Sequence, residues 1–169
     1  LTDTRTWGVA LFCDDIRAEI GGKLSLMGIY LADILFPASL PFPITLTKFC
    51  ILIKYFESMP ALTDDITIRV FLPGDLKDAP SVTLPFPRAS MVQGAIPTYP
   101  LDEDQDRIFN LTFPLALTPL IIKQEGFIKV RALCGTRATK LGSLMVRKAR
   151  PNENIEFPFA PQTSPTVSG

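Results

Sequence analysis

The carboxylates of this sequence are gathered where a hard cation could use them: Asp14-Asp15, Asp75, Asp78 and the run Asp102-Glu103-Asp104-Gln105-Asp106. Calcium takes roughly six to eight oxygen ligands, so acidic loops that converge at one end of a β-sandwich can hold it, as C2-type modules do. Asp14, Asp15, Asp102, Asp104 and Asp106 would be the ligands here. The D-x-D-x-D-G loop spacing is absent, however, and solvated loop charge is the simpler account, so no metal or other cofactor is expected. Positive charge is concentrated elsewhere. Residues 123–150 hold eight basic side chains against one acidic. Lys129 and Arg131 share a strand face by their period of two, and Arg147 is expected beside them across a hairpin. Such a stripe suits phosphates or an acidic protein surface. A protein is favoured over nucleic acid, because no aromatic residues for base stacking are interleaved with the cations. The competing account is an edge hairpin whose charges block edge-to-edge association.

Other chemistries are removed by what the chain lacks. It contains no histidine, which excludes Ser-His-Asp and Cys-His catalysis, the common zinc sites and histidine pH sensing. Cys13, Cys50 and Cys134 are odd in number, widely spaced and set in apolar runs, where a thiol behaves as a small hydrophobe. Gly21-Gly22-Lys23 lacks the phosphate-loop spacing and precedes a strand, so it reads as a hairpin turn with both glycines at positive φ. Asn110-Leu-Thr112 matches a glycosylation sequon by accident of composition. No serine has a neighbouring base, and no carboxylate sits at a position read as buried, where a catalytic acid would be tuned. The expectation is a protein that is not an enzyme.

The 169 residues are 47% apolar and 20% charged, with 17 basic side chains against 17 acidic. That suffices for one well-filled core and argues against a surface built wholly for nucleic acid. Sixteen prolines, about twice the usual share, exclude long unbroken helices. Period-two patterning recurs along the chain. Trp7, Val9, Leu11 and Cys13 alternate with smaller residues. Leu24, Leu26 and Tyr30 share one face of a second strand. Phe49, Ile51, Ile53 and Tyr55 share a face within 44–56, and Ile66, Ile68, Val70 and Leu72 within the next. Phe109 to Leu117, Ile128 to Ala132 and 141–147 complete the set, with a short strand near Val82. The fold class is therefore all-β, an antiparallel β-sandwich of about seven to eight strands, of Greek-key or C2-like type. One domain over 1–158 and a Pro/Ser/Thr-rich tail over 159–169 are expected. The stretch 75–106 is irregular, as binding loops often are. Met27, Ile29 and Phe71 lie opposite the assigned core faces. Exposed together, they would form an apolar patch for a protein partner or a second copy.

No apolar run approaches the roughly 20 residues needed to span a bilayer, and no signal pattern opens the chain, so membrane insertion is not expected. Unpaired cysteines fit a reducing, cytoplasmic setting. The first residue is Leu rather than Met, so the natural N-terminus is expected to differ.

The segment Ala10-Leu-Phe-Cys-Asp-Asp-Ile-Arg-Ala-Glu-Ile-Gly-Gly-Lys-Leu-Ser-Leu-Met-Gly-Ile-Tyr30 resembles the opening of a family of uncharacterised bacterial and prophage proteins. In that family a strand, an acidic turn, Gly-Gly-Lys and a strand ending in Gly-x-Tyr recur. Leu120-Ile-Ile-Lys-Gln-Glu-Gly-Phe-Ile-Lys-Val-Arg131 is similar to its later apolar run and strand. The resemblance implies a small cytoplasmic β-sandwich and supplies no activity, cofactor or site residue.

Overall fold

Strand after strand buries one row of alternate side chains, and the two sheets that result pack these rows against each other. The computed structural model describes residues 6–58, 64–89, 108–151 and 153. Asp102, Asp104 and Asp106, and the tail expected over 159–169, lie outside the described residues. Eleven strands are present among the described residues: β1 (Thr6–Glu19), β2 (Lys23–Ile29), β3 (Asp33–Phe36), β4 (Ile44–Leu46), β5 (Phe49–Ser58), β6 (Ile66–Phe71), β7 (Val82–Phe86), β8 (Ile108–Leu117), β9 (Leu120–Ile122), β10 (Gly126–Cys134) and β11 (Arg137–Lys148). The front sheet has the order β2-β1-β5-β8, the back sheet β3-β11-β10-β6-β7, and β4 and β9 form a separate ribbon.

The all-β sandwich is as the sequence led one to expect, but with eleven strands rather than seven or eight. β3 and β9 are short pieces next to prolines, where too few residues alternate to register as a period, and the single strand expected over 44–56 is two, β4 and β5, broken at Thr47-Lys48. Nor is the pairing antiparallel throughout. β3 lies parallel to β11, with Ile34 opposite Val146 and Phe36 opposite Lys148. β1 also runs further than expected. Asp14 and Asp15 belong to the strand, because Ile16 and Ala18 carry the pairing on to Leu26 and Leu24 of β2. The connection from β1 to β2 is the anticipated glycine turn, with Gly21 and Gly22 at φ 82° and 73°.

The core is built from Phe12, Phe49, Ile51, Ile53 and Tyr55 of the front sheet and Ile66, Ile68, Val70, Ile128, Val130, Leu144 and Val146 of the back sheet, all buried. Each such side chain stabilises the fold by about 1.5–3 kcal/mol through loss of apolar surface to water. The sheets approach most closely where β1 crosses β11. A Cβ on Gly8 would lie 2.6 Å from Leu141 Cδ2, and one on Gly142 would lie 3.0 Å from Ala10 Cβ. Only very small residues fit at that crossing.

Candidate functional site

The back sheet turns a cationic row outward. In register, Arg131 of β10 stands opposite Arg69 of β6 on one side and Lys140 of β11 on the other. Lys129 follows two residues along β10, opposite Phe71 and Ser143. The row depends on an irregularity in β11. Val130 pairs with Gly142 but Arg131 pairs with Lys140, so one residue of β11 is bulged out of the ladder. In the unbulged register Arg131 would have met Leu141; instead Leu141 is buried and Lys140 is exposed. Bulges re-aim side chains in this way. None of Arg69, Lys129, Arg131 and Lys140 makes an ion pair among the described residues. The Arg69 Nε hydrogen is buried and finds no acceptor.

Beside the row runs a groove of about 700 Å³, walled by Arg69, Lys129, Arg131, Phe71, Phe127 and Leu133 and closed at one end by the loop after β6. A shallower depression of about 470 Å³ continues from Lys129 and Arg131 over Lys140 and Ser143. The loop is a fixed wall. Asp75 accepts hydrogen bonds from the Leu72 and Ser81 amides, each at 2.8 Å, and from the Ser81 hydroxyl at 2.9 Å.

Two of the expected site residues are placed differently. Arg147 is not beside Lys129 and Arg131. It lies beyond the last β10–β11 pair and against β3, where its guanidinium donates to Asp33 and, through both terminal nitrogens, to Glu153 at 2.7 and 2.6 Å. Those bonds, Glu153 first and Asp33 second, raise the Arg147 pKa further, while Arg147 draws Glu153 down to about 2. Arg147 is a clamp between β3 and the chain after β11. Phe71 is not on a patch with Met27 and Ile29, because β6 and β2 belong to different sheets. It is 9% exposed and forms the floor of the cationic groove next to Lys129.

Met27 and Ile29 are exposed on the outer face of the front sheet, where the structure supplies them with other company. Ile29 is opposite Cys13, and the same β1 face carries Leu11, Val9 and Trp7. These in turn stand opposite Leu52, Lys54 and Phe56 of β5, which face Pro114, Thr112 and Asn110 of β8. Trp7, Val9, Leu11, Met27 and Ile29 are each 36–46% exposed. Trp7 stacks on Phe56 at 5.5 Å between centroids, and Lys54 folds over the same ring, while at the Met27 end the face carries Asp15, opposite Met27, with its partners Lys48 and Arg17. Both faces of β1 are thus apolar. The row that points inward is the one containing Ala10 and Phe12, and the bulkier alternating set Trp7, Val9 and Leu11 faces out.

The acidic residues at the far end of β1 are spent on structure. Asp14 accepts the Tyr30 hydroxyl, and Asp15 pairs with Lys48 and, at 3.3 Å, with Arg17. The Lys48 bond, with Arg17 second, holds Asp15 below the ordinary carboxylate range. Burial, and then the bond to Asp14, push the Tyr30 phenol upward. Gly28 makes this latch possible. It sits at φ 65°, and a Cβ there would overlap the Asp14 carboxylate, 2.7 Å from its Cγ. No group of three or more candidate metal ligands occurs among the described residues.

One carboxylate escaped the sequence reading. Glu57 is 1% exposed. It accepts the Tyr55 hydroxyl at 3.2 Å, and the Cys134 thiol points at it from 3.9 Å. Burial, and then the nearby Glu57 charge, raise the pKa of both Tyr55 and Cys134. The inward period of Phe49, Ile51, Ile53 and Tyr55 continues to residue 57, so the signal was present for a strand carried two residues further. Cys13 and Cys50 stand opposite each other, both buried and free, and burial lifts the Cys13 thiol to about 11.

No family model matches the chain, and no curated protein or solved structure matches it. Among the described residues no helix is long and apolar enough to cross a membrane.

Proposed function

We propose that this protein is a non-catalytic assembly module that associates with a second copy of itself through the outer face of the front sheet. The observation that carries this reading is the continuous apolar array from Met27 and Ile29 through Leu11, Val9 and Trp7 to Phe56. Large exposed apolar patches are uncommon on proteins that work alone. A second copy suits the face because among the described residues its middle, from Ile29 to Trp7, carries only Lys54, with the charges of Asp15, Lys48 and Arg17 paired at its Met27 end, and because a chain of net charge zero does not repel its twin. Two such faces would pack as sheets do in a sandwich, about 10 Å apart. The three buried, unpaired thiols suit a reducing compartment, so the setting proposed is cytoplasmic. The similarity of the opening motif to uncharacterised bacterial and prophage proteins suggests such an origin and adds no activity.

The test is light scattering coupled to size exclusion over a wide concentration range. The expected mass is about twice 18.6 kDa for a two-fold dimer. Leu11→Glu, at a partly exposed position outside the core, should return the chain to a monomer with its circular dichroism unchanged. A wild-type chain that stays monomeric at the highest concentrations would refute self-association, and co-purification of a different protein on the Leu11 face would replace it.

A further inference from the structure

The cationic groove of the back sheet faces away from that apolar array, and its chemistry is different. We propose that it recognises a short acidic peptide segment of a partner protein, whose carboxylates are held by Arg69, Arg131 and Lys140 while a neighbouring apolar side chain rests on Phe127 and Leu133.

The argument begins with the cost of the row itself. Residues directly opposite on adjacent strands have Cβ atoms about 4.5–5.5 Å apart, and like charges in that relation oppose pairing. Arg69, Arg131 and Lys140 occupy three such consecutive positions, and none has a counterion among the described residues. The β11 bulge completes the row when the regular register would have broken it with Leu141. A carboxylate between two guanidinium groups removes the repulsion and gains charge-assisted hydrogen bonds in planar geometry.

The surroundings select among polyanions. Nucleic acid needs cations spaced along a path and aromatic rings for stacking. This groove offers a compact group of cations, and Asp75, Asp78 and Glu125, with Lys77 among them, line its end and leave it net negative. Those carboxylates would repel a continuing phosphate backbone and cut the site to a few residues in length. Half-exposed Phe127, with Leu133 and the Phe71 floor, supplies apolar contact of the kind that accompanies Arg at protein interfaces. A peptide that alternates acidic and apolar residues matches both halves of the groove.

The experiment is fluorescence anisotropy on the full chain with a labelled peptide of alternating Asp and Leu. A peptide with Lys in place of Asp and a single-stranded oligonucleotide of matched charge serve as comparisons. The expected result is binding of the acidic peptide alone, weakening as salt is added, and weakened about tenfold by Arg131→Gln, the loss of one charge-assisted hydrogen bond. Lys23→Gln, at the exposed start of β2 beside the glycine turn, should leave binding unchanged. Because Arg131→Gln also relieves the like-charge row, its melting temperature should equal or exceed that of the wild type, which separates loss of binding from loss of fold. No binding at low ionic strength would overturn the proposal, as would binding indifferent to both Arg131→Gln and Arg69→Gln. Preference for the oligonucleotide with the same Arg131 dependence would overturn it in favour of nucleic acid.

Discussion

Replacing Gly28 with Ala tests how the acidic end of β1 is held together. Gly28 has φ 65°, and the left-handed region costs an L-residue about 1–2 kcal/mol. The new methyl group would also occupy the space of the Asp14 carboxylate, forcing it off the Tyr30 hydroxyl. That hydrogen bond is solvent-exposed, so its loss adds only about 1 kcal/mol. The sum is about 2–3 kcal/mol. For a chain of this size each kcal/mol moves the melting temperature by about 2–4 °C, so a fall of about 4–12 °C is expected in a thermal melt followed by circular dichroism. The decisive form is a double-mutant cycle with Asp14→Ala. Once Asp14 is shortened there is no clash and no bond to break, so Gly28→Ala should then cost only its backbone share. The two substitutions should fall short of additivity by about 1 kcal/mol. Strict additivity would refute the claim that Gly28 is there to make room for Asp14.

Two further outcomes follow from other sites. Glu153 titrates near 2 in the folded chain against an ordinary value of 4.5, so its pairing with Arg147 stabilises the fold above about pH 4.5. That contribution is lost as pH falls from there towards 2. Carboxyl NMR titration should show the low value, and Arg147→Gln should return it towards 4.5. At Glu57, Glu57→Ala leaves the Tyr55 hydroxyl without its acceptor, while the Cys134 thiol keeps the Asp64 carbonyl at 3.8 Å, and should cost about 1–3 kcal/mol in chemical denaturation. Glu57→Gln keeps an acceptor oxygen at nearly the same shape, so it should retain most of the stability that Glu57→Ala loses. A Glu57→Gln protein as unstable as Glu57→Ala would show that the acceptor oxygen is not what stabilises this position.

The strands that carry long alternation are legible in the sequence: Phe49 to Tyr55, Ile66 to Val70, Phe109 to Leu117 and Ile128 to Ala132 all turn the expected row inward. β1 is not, because both of its rows are apolar, and periodicity alone has no means of saying which one meets the other sheet. The same limit hid the apolar face, since Met27 and Ile29 were visible as outward residues while Trp7, Val9 and Leu11 read simply as a strand. Lys129 and Arg131 were found by their spacing. Arg69 was not, because a cation from another strand joins them only through sheet order. Lys140 was hidden by the bulge, since simple counting along a hairpin places Leu141 opposite Arg131. Phe71 and Arg147 failed for a related reason: residues alike in pattern were assigned to one neighbourhood, and only the topology says which sheet or strand end they occupy.

β11 is the last strand among the described residues, yet it is interior to the back sheet, with β3 on one side and β10 on the other, and it crosses β1 at Gly142. During synthesis the chain therefore emerges with β1, β2 and β5 able to pair while the surface they must cover is still missing. β3 has no sheet to join until the final strand appears, and Asp33 waits 114 residues for Arg147. Contacts of such long sequence separation form late and slowly. The nascent front sheet must then pass through an interval in which both of its faces, the future core and the permanent outer array, are apolar and uncovered. Premature termination ahead of β11 would leave β3 without its partner and the crossing between Gly8 and Gly142 unmade, so β11 is what closes the back sheet onto β1.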